Sequence, residues 1–402
     1  MNDRSAAQKG IAFSKNILKM KGSSTLKAAQ MATRLREEGR EVIDLTVGEP
    51  DFDTPQFIKD FALEGLDKGI TKYTPTAGLR IFRESIIEYY SEVFGADLSP
   101  GEIAASCGGK QALFNAVNTL VDEGEEVLIP KPYWVTFPEI VNFVGAENVF
   151  IDTEETDFML TADQVGNAIT PRTKLLIINS PNNPTGRVVP PAEMRKIIET
   201  CAERDVYVLT DECYLLFVYP PGEVFTSASL PDELRKYVCV AGSFSKTFAM
   251  TGWRIGYTIA GEEWTRQILK LQSHSASHPT SFVQYACARA LQYPGKMSEA
   301  VGSMLEEYKR RRDYLIPELQ KIGGFRTAMP EGAFYAFVDV RDLLGQKYRT
   351  SADFVDALLN SEYVATTDGE GFGADGYIRI SYATSMENLE RAVEKIARFI
   401  DQ

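Results

Sequence analysis

KLLIINS at 174–180, PAEMRKIIETCAERD at 191–205 and VYVLT at 206–210 form the stretch that decides the fold. The first and third are short apolar runs, rich in β-branched residues and closed by polar punctuation, which predicts buried strands. Between them Met194, Ile197, Ile198 and Cys201 recur at helical spacing, so the chain runs strand, helix, strand. A crossover of that kind joins parallel strands of one sheet. EVLIP at 126–130 and YVCVA at 237–241 read as further buried strands, and the fold class is α/β.

Beyond Gly295 the texture changes to a long charged helical stretch, SEAVGSMLEEYKRRRDYLIPELQKI at 298–322. Strand candidates FYAFVDV and YIRISYA and a terminal helix, ENLERAVEKIARFI, follow, which predicts a second α+β unit. The charge run 306–313 reads as a solvated helix face. No internal repeat, low-complexity tract or Gly/Ser linker separates the two parts.

The composition bounds the function. Of 402 residues, 43 are Lys or Arg and 56 are Asp or Glu, a net charge of −13 that argues against nucleic acid as a partner. Hydrophobic residues make up 44% and charged residues 25%, the balance of a folded enzyme with a large core. No apolar run reaches the roughly 18 residues that span a bilayer, and the first residues lack a signal-peptide core, so no membrane partner and a cytoplasmic location are expected. Cys107, Cys201, Cys213, Cys239 and Cys287 are odd in number and form no C-x-x-C pair, which suits reduced thiols. With His274 and His278 the only histidines, neither a His-rich metal site nor a Ser-His-Asp hydrolase has support. Residues 371–376 match G-x-G-x-x-G, but the strand YIRISYA follows where a dinucleotide site needs a helix.

The chemistry concentrates in SFSKTFAMTGWRIGY at 243–257, directly after the strand YVCVA. Lys246 therefore stands at the carboxyl end of a strand, the edge where α/β sheets bind ligands. A lysine partly desolvated there has a lowered pKa and suits Schiff-base formation with an aldehyde. The Ser243 hydroxyl and the Arg254 guanidinium suit a phosphate, and Gly108 and Gly109 open the helix KQALFNAVNTL with free amides that suit one too.

These residues, with LTVGEPDF at 45–52, KYTPTAG at 72–78, GGKQALFN at 108–115, PYW at 132–134, NSPNNPTG at 179–186, DECY at 211–214 and YIRISYAT at 377–384, resemble the class I aminotransferases. Within that pyridoxal-phosphate-dependent family of fold type I, the chain is similar to the beta subgroup that holds the bacterial aspartate aminotransferases. The resemblance implies a mostly parallel seven-stranded sheet between helices in a large domain at 51–294. It also implies a small domain made from the N-terminal segment 1–50 and the C-terminal part 295–402.

By that resemblance the cofactor is pyridoxal 5'-phosphate, with Lys246, Asp211 and Tyr214 as catalytic residues. Lys246 carries the Schiff base and then moves the substrate α-proton. Asp211 pairs with the pyridine nitrogen, Tyr214 and Asn183 reach the phenolic oxygen, and Trp134 lies flat on the ring. Gly109, Lys110, Ser243 and Arg254 belong to the phosphate end. Tyr73 reaches the phosphate from a neighbouring subunit, which implies a homodimer with shared active sites. Arg379 binds the substrate α-carboxylate bidentately, assisted by the backbone at Gly48, with Asn183 and Trp134 also touching substrate. Lys110 binds a distal carboxylate and so favours aspartate, glutamate, oxaloacetate and 2-oxoglutarate.

The implied activity is amino transfer from L-aspartate to 2-oxoglutarate. Prephenate or aromatic amino transfer uses the same machinery, as does a carbon-sulfur β-lyase on the same fold. A cofactor-sensing regulator lacks a DNA-binding segment here. Three departures bear on the substrate mouth. VATTDGEGFG at 364–373 replaces the usual valine-rich strand with Pro-Gly, His278 replaces an asparagine, and KMKGSS at 19–24 lacks a proline.

Overall fold

The computed structural model describes residues 11–22, 24–345 and 347–402. Residues 1–10 of the N-terminal segment, and Ser23 in KMKGSS, lie outside the described residues. Seven strands make the central sheet: β1 (Ile103–Ser106), β2 (Glu126–Lys131), β3 (Glu147–Asp152), β4 (Thr173–Asn179), β5 (Tyr207–Asp211), β6 (Val238–Ser243) and β7 (Gly256–Ala260). Their spatial order is β1-β7-β6-β5-β4-β2-β3, and only β7 runs antiparallel to its neighbours. The four strands read from sequence are β2, β4, β5 and β6, the parallel centre. Every residue of β6 is buried, as a strand covered on both faces must be.

The crossover between β4 and β5 is the helix Pro191–Ala202, whose buried stripe is Met194, Ile197, Ile198 and Cys201. Polar positions between them face outward, so burial of that stripe rather than intrinsic propensity holds the helix. Another helix, Gly109–Leu120, follows β1 and buries Ala112, Leu113, Ala116 and Val117 against the other side of the sheet.

A second, four-stranded antiparallel sheet has the order β10-β11-β9-β8, from β8 (Arg326–Thr327), β9 (Tyr335–Asp339), β10 (Thr367–Asp368) and β11 (Tyr377–Ser381). The segment Ile43–Asp44 pairs in parallel with Val364–Ala365, tying the N-terminal segment to the C-terminal part. The atypical stretch 364–373 thus supplies one strand to that pair, then β10, then a short 3-10 turn at Glu370–Phe372. Gly373 ends it with φ +78°, and a Cβ there would meet the Tyr133 ring at 2.7 Å, so glycine is required on two counts.

The charge run in the long helix Pro294–Gln320 corrects the solvated-face expectation. Arg311 and Arg312 are buried. Arg311 pairs with Asp51 (2.8 Å) and Glu307 (2.9 Å), while Arg312 donates to the Pro330 carbonyl (2.9 Å). Their guanidinium planes lie against Tyr308 and Tyr219, which a charge-based reading of one helix could not foresee.

Candidate active site

The carboxyl edge of the parallel strands and the second sheet enclose a cavity of about 630 Å³. Gly48, Gly109, Lys110, Trp134, Asn183 and Asp211 line it, as do Tyr214, Ser243, Lys246, Arg254 and Arg379. Of the cofactor and substrate residues singled out from sequence, Tyr73 alone stands apart. It is 93% exposed, edge-on to His278 at 5.7 Å. Among the described residues of the lining, five basic side chains accompany three acidic ones, so an acidic protein carries a locally positive cleft.

One end of the cavity is a set of hydrogen-bond donors. The first amides of a helix have no intrahelical acceptor, and the N-cap here is Gly108, with φ +81° and no side chain to cap them. The Arg254 guanidinium lies so close that a Cβ on Gly108 would stand 2.6 Å from it. Arg254 is held there by donating to the Thr251 carbonyl (2.9 Å). A Cβ on Gly256 would meet the backbone of Gly108 and Gly109 at 2.8 Å, which keeps the turn pressed against β7. Ser243, the last residue of β6, accepts from the Ser245 amide (3.0 Å), which points its hydroxyl group at this end of the strand edge.

At the middle, Asp211 ends β5 and accepts from the Cys213 amide (3.1 Å). Burial pushes its carboxyl up to about 7, against the pull of the Cys213 amide, so it is poised to be ionised by a cationic partner. Lys246 follows β6 and donates to the Gly48 carbonyl. Burial lowers its pKa, with Arg379 and Arg254 adding to the effect, so the neutral amine is more accessible than on an open surface. The Tyr214 hydroxyl shares a hydrogen bond with Tyr335 (2.7 Å).

At the far end, Arg379 of β11 is buried, donating to Asn183 Oδ1 (3.0 Å) and to the Thr46 carbonyl (2.6 Å). Its Nε is buried with no partner among the described residues, while the residue itself lines the cavity. Asn183 is fixed by its own amide on Asn179 Oδ1 (2.8 Å), and Asn179 donates to the Asp211 carbonyl (3.1 Å). A continuous hydrogen-bonded line therefore runs from β5 to Arg379. The Lys110 ammonium lies over the Trp134 ring at 4.9 Å, with its pKa lowered by burial and then by Arg254.

Sequence reasoning passed over Tyr335, Asn179, Cys213 and Arg36, all of which line the cavity. Asn179 and Cys213 sat inside quoted motifs, whereas Tyr335 and Arg36 come from a strand and a helix whose own sequence carries no site signal. His278 acts away from the cavity. Its Nε2 accepts from the Thr74 amide (3.2 Å) and its Nδ1 bonds the Pro279 carbonyl (2.8 Å). A ring with its proton on Nδ1 satisfies both and holds the turn that carries Tyr73.

The donor set fits pyridoxal phosphate: donors for a phosphate at one end, a buried carboxylate for a ring nitrogen and a buried amine for an aldehyde. Among the described residues no group of His, Cys, Asp and Glu is placed to hold a metal ion, and no helix is long and apolar enough to cross a membrane.

Comparison with known proteins agrees. The model of the aminotransferase class I and II family matches residues 40–396. The aspartate aminotransferase of Geobacillus stearothermophilus is 40% identical over 391 residues, covering 97% of this chain and 99% of that protein. The aspartate/prephenate aminotransferase of Nitrosomonas europaea is 39% identical over 398 residues, covering 96% of this chain and 99% of that protein. Among solved structures, the Thermus thermophilus aspartate aminotransferase with maleate superposes with a TM-score of 0.92 at 37% identity, covering 97% of this chain and all of that one. With this sheet order, this cavity and these relatives, the chain belongs to the class I and II aminotransferase family.

Proposed function

We propose that this aminotransferase uses pyridoxal 5'-phosphate to move the amino group of L-aspartate to 2-oxoglutarate, giving oxaloacetate and L-glutamate. One observation carries the reading: Lys246 and Asp211, on adjacent strand ends, share one cavity with Arg379 and Lys110. Bound pyridoxal phosphate supplies the electron sink that acidifies the substrate α-proton.

The chain's own groups do the rest. The Gly109 and Lys110 amides, Ser243 and Arg254 hold the phosphate, and Asp211 holds the ring nitrogen protonated. Tyr214 and Asn183 serve the phenolic oxygen, and Trp134 covers the ring. Arg379 grips the α-carboxylate, which turns the α-hydrogen towards Lys246, and the neutral amine of Lys246 takes that proton and returns it. Lys110 meets the distal carboxylate. That the similar Thermus thermophilus enzyme was solved with maleate, a dicarboxylate, supports the assignment.

Tyr73, exposed outside its own cavity, completes the phosphate end of a second copy in a homodimer with shared sites. The units 51–294 and 1–50 with 295–402 are kept as the large and small domains, in a protein working in the cytoplasm, where five unpaired thiols suit the redox poise. A second reading, prephenate amino transfer, draws support from an adjoining cavity of about 750 Å³ that shares Lys110 as a wall, which gives a ring-bearing dicarboxylate room.

The test is an absorbance spectrum with pyridoxal phosphate, then L-aspartate, then 2-oxoglutarate. A visible band that moves to shorter wavelength with aspartate and returns with 2-oxoglutarate is expected. A band indifferent to aspartate and responsive to prephenate would move the substrate assignment, and the absence of any band would end the cofactor reading.

A further inference from the structure

Two phenols meet behind the cavity. Tyr214 comes from the turn after β5 and Tyr335 is the first residue of β9, 121 positions later and in the other sheet. Both are buried, both line the cavity, and their hydroxyls stand 2.7 Å apart. One shared hydrogen is all such a pair needs, so which hydroxyl donates decides what Tyr214 can offer a ligand. If Tyr214 donates to Tyr335, its proton is spent inside the protein. If Tyr335 donates, the Tyr214 proton is free for an acceptor in the cavity.

The surroundings of Tyr335 favour the second arrangement. The Arg379 guanidinium lies over its ring at 4.6 Å, and a cation there makes the phenol a better donor. Gly48 leaves room for the same hydroxyl, since a Cβ at that position would stand 2.9 Å from it. An anionic acceptor in the cavity polarises both bonds in the same sense, and aligned hydrogen bonds strengthen one another.

We infer that Tyr335 is a positioning residue that donates to the Tyr214 hydroxyl and so commits the Tyr214 proton to the phenolic oxygen of the bound cofactor. The inference rests on the cofactor reading given above and adds to it a link between sheets. The side chain that packs against the carboxylate-binding arginine also sets the donor beside the phenolic oxygen.

The test reads the pH midpoint at which the visible band of the protein loaded with pyridoxal phosphate changes form. A donor to the phenolic oxygen stabilises its anion when the neighbouring nitrogen is unprotonated, which lowers that midpoint. Tyr214→Phe should therefore raise it. Tyr335→Phe should raise it by less, about a few tenths of a pH unit, as expected for removing a reinforcing bond rather than the donor itself. In the Tyr214→Phe background the second substitution should then do nothing. An unchanged midpoint in Tyr335→Phe, or the same shift with and without Tyr214, would overturn the inference while the band itself upholds the cofactor reading. No band in the unaltered protein would overturn both. Should Tyr335→Phe fail to fold, Gly48→Ala displaces the same hydroxyl by contact and is expected to raise the midpoint, and an unchanged or lowered midpoint there would overturn the inference.

Discussion

The two sides of the cavity are built on different plans. On the large-sheet side, two of the groups are set by close neighbours in sequence, Asp211 by the Cys213 amide and Ser243 by the Ser245 amide, each two residues away, while Lys246 and Tyr214 reach across to Gly48 and Tyr335. On the opposite side, Arg379 is set by Thr46 and Asn183, 333 and 196 residues away. A strand end with a short turn fixes such side chains by local geometry. The setting of Arg379 exists only once the N-terminal segment, the turn after β4 and β11 have come together. It follows that damage to one side should leave the other's function readable.

Lys246→Ala tests the largest effect. Losing the base should cut the rate by roughly 10²- to 10⁴-fold, the range for a positioned proton-transfer group. Pyridoxal phosphate should still be retained through the phosphate end, measured by equilibrium dialysis. Arg379→Lys comes next. Replacing a planar fork by a point charge removes hydrogen bonds to a carboxylate worth about 1.5–3 kcal/mol, so kcat/KM for aspartate should fall roughly 10- to 150-fold. The loaded protein should keep its visible band, and a lost band in this variant would break the division of labour between the two sides.

Lys110→Ala should raise KM for aspartate about tenfold or more, the loss of a charge-assisted hydrogen bond worth about 1.5–3 kcal/mol, and leave alanine, which has no distal carboxylate, nearly unchanged as a slow substrate. Equal losses for both amino acids would place Lys110 wholly at the phosphate end.

The smallest effect concerns stability without cofactor. Burial raises the Asp211 carboxyl from 3.8 to about 7, so in that window the folded protein holds more protons than the unfolded chain. The stability this contributes is present below pH 3.8 and lost as pH rises through about 7, at most about 1.4 kcal/mol per pH unit. Melting curves of the cofactor-free protein should show its advantage over Asp211→Asn shrinking from pH 5 to pH 8. A difference independent of pH would mean that Asp211 titrates normally.

Patterns in single segments were enough for β2, β4, β5 and β6, which are continuous apolar runs, and for the helices at 109–120 and 191–202, which each bury one stripe. It left β1, β3 and β7 unread. The exposed and half-buried residues of β3 give no continuous apolar run, and IAAS and GYTIA are too short and too rich in small residues to declare themselves. The charge run at 306–313 misled for a related reason: besides Glu307 and Asp313 within the run, Arg311 and Arg312 reach Asp51 and Pro330, partners that no local window contains.

What the sequence determined by itself is the chemistry at the strand ends. A lysine after one strand, an aspartate after the next and a glycine pair opening a helix are local facts, and the α/β pattern alone puts them on one edge. Tertiary structure decided the rest: the Tyr214 and Tyr335 pair, the line from Asp211 through Asn179 and Asn183 to Arg379, and His278 bracing the turn of Tyr73. Those arrangements need groups far apart in sequence to meet within hydrogen-bond distance, and only packing two sheets against each other brings them there.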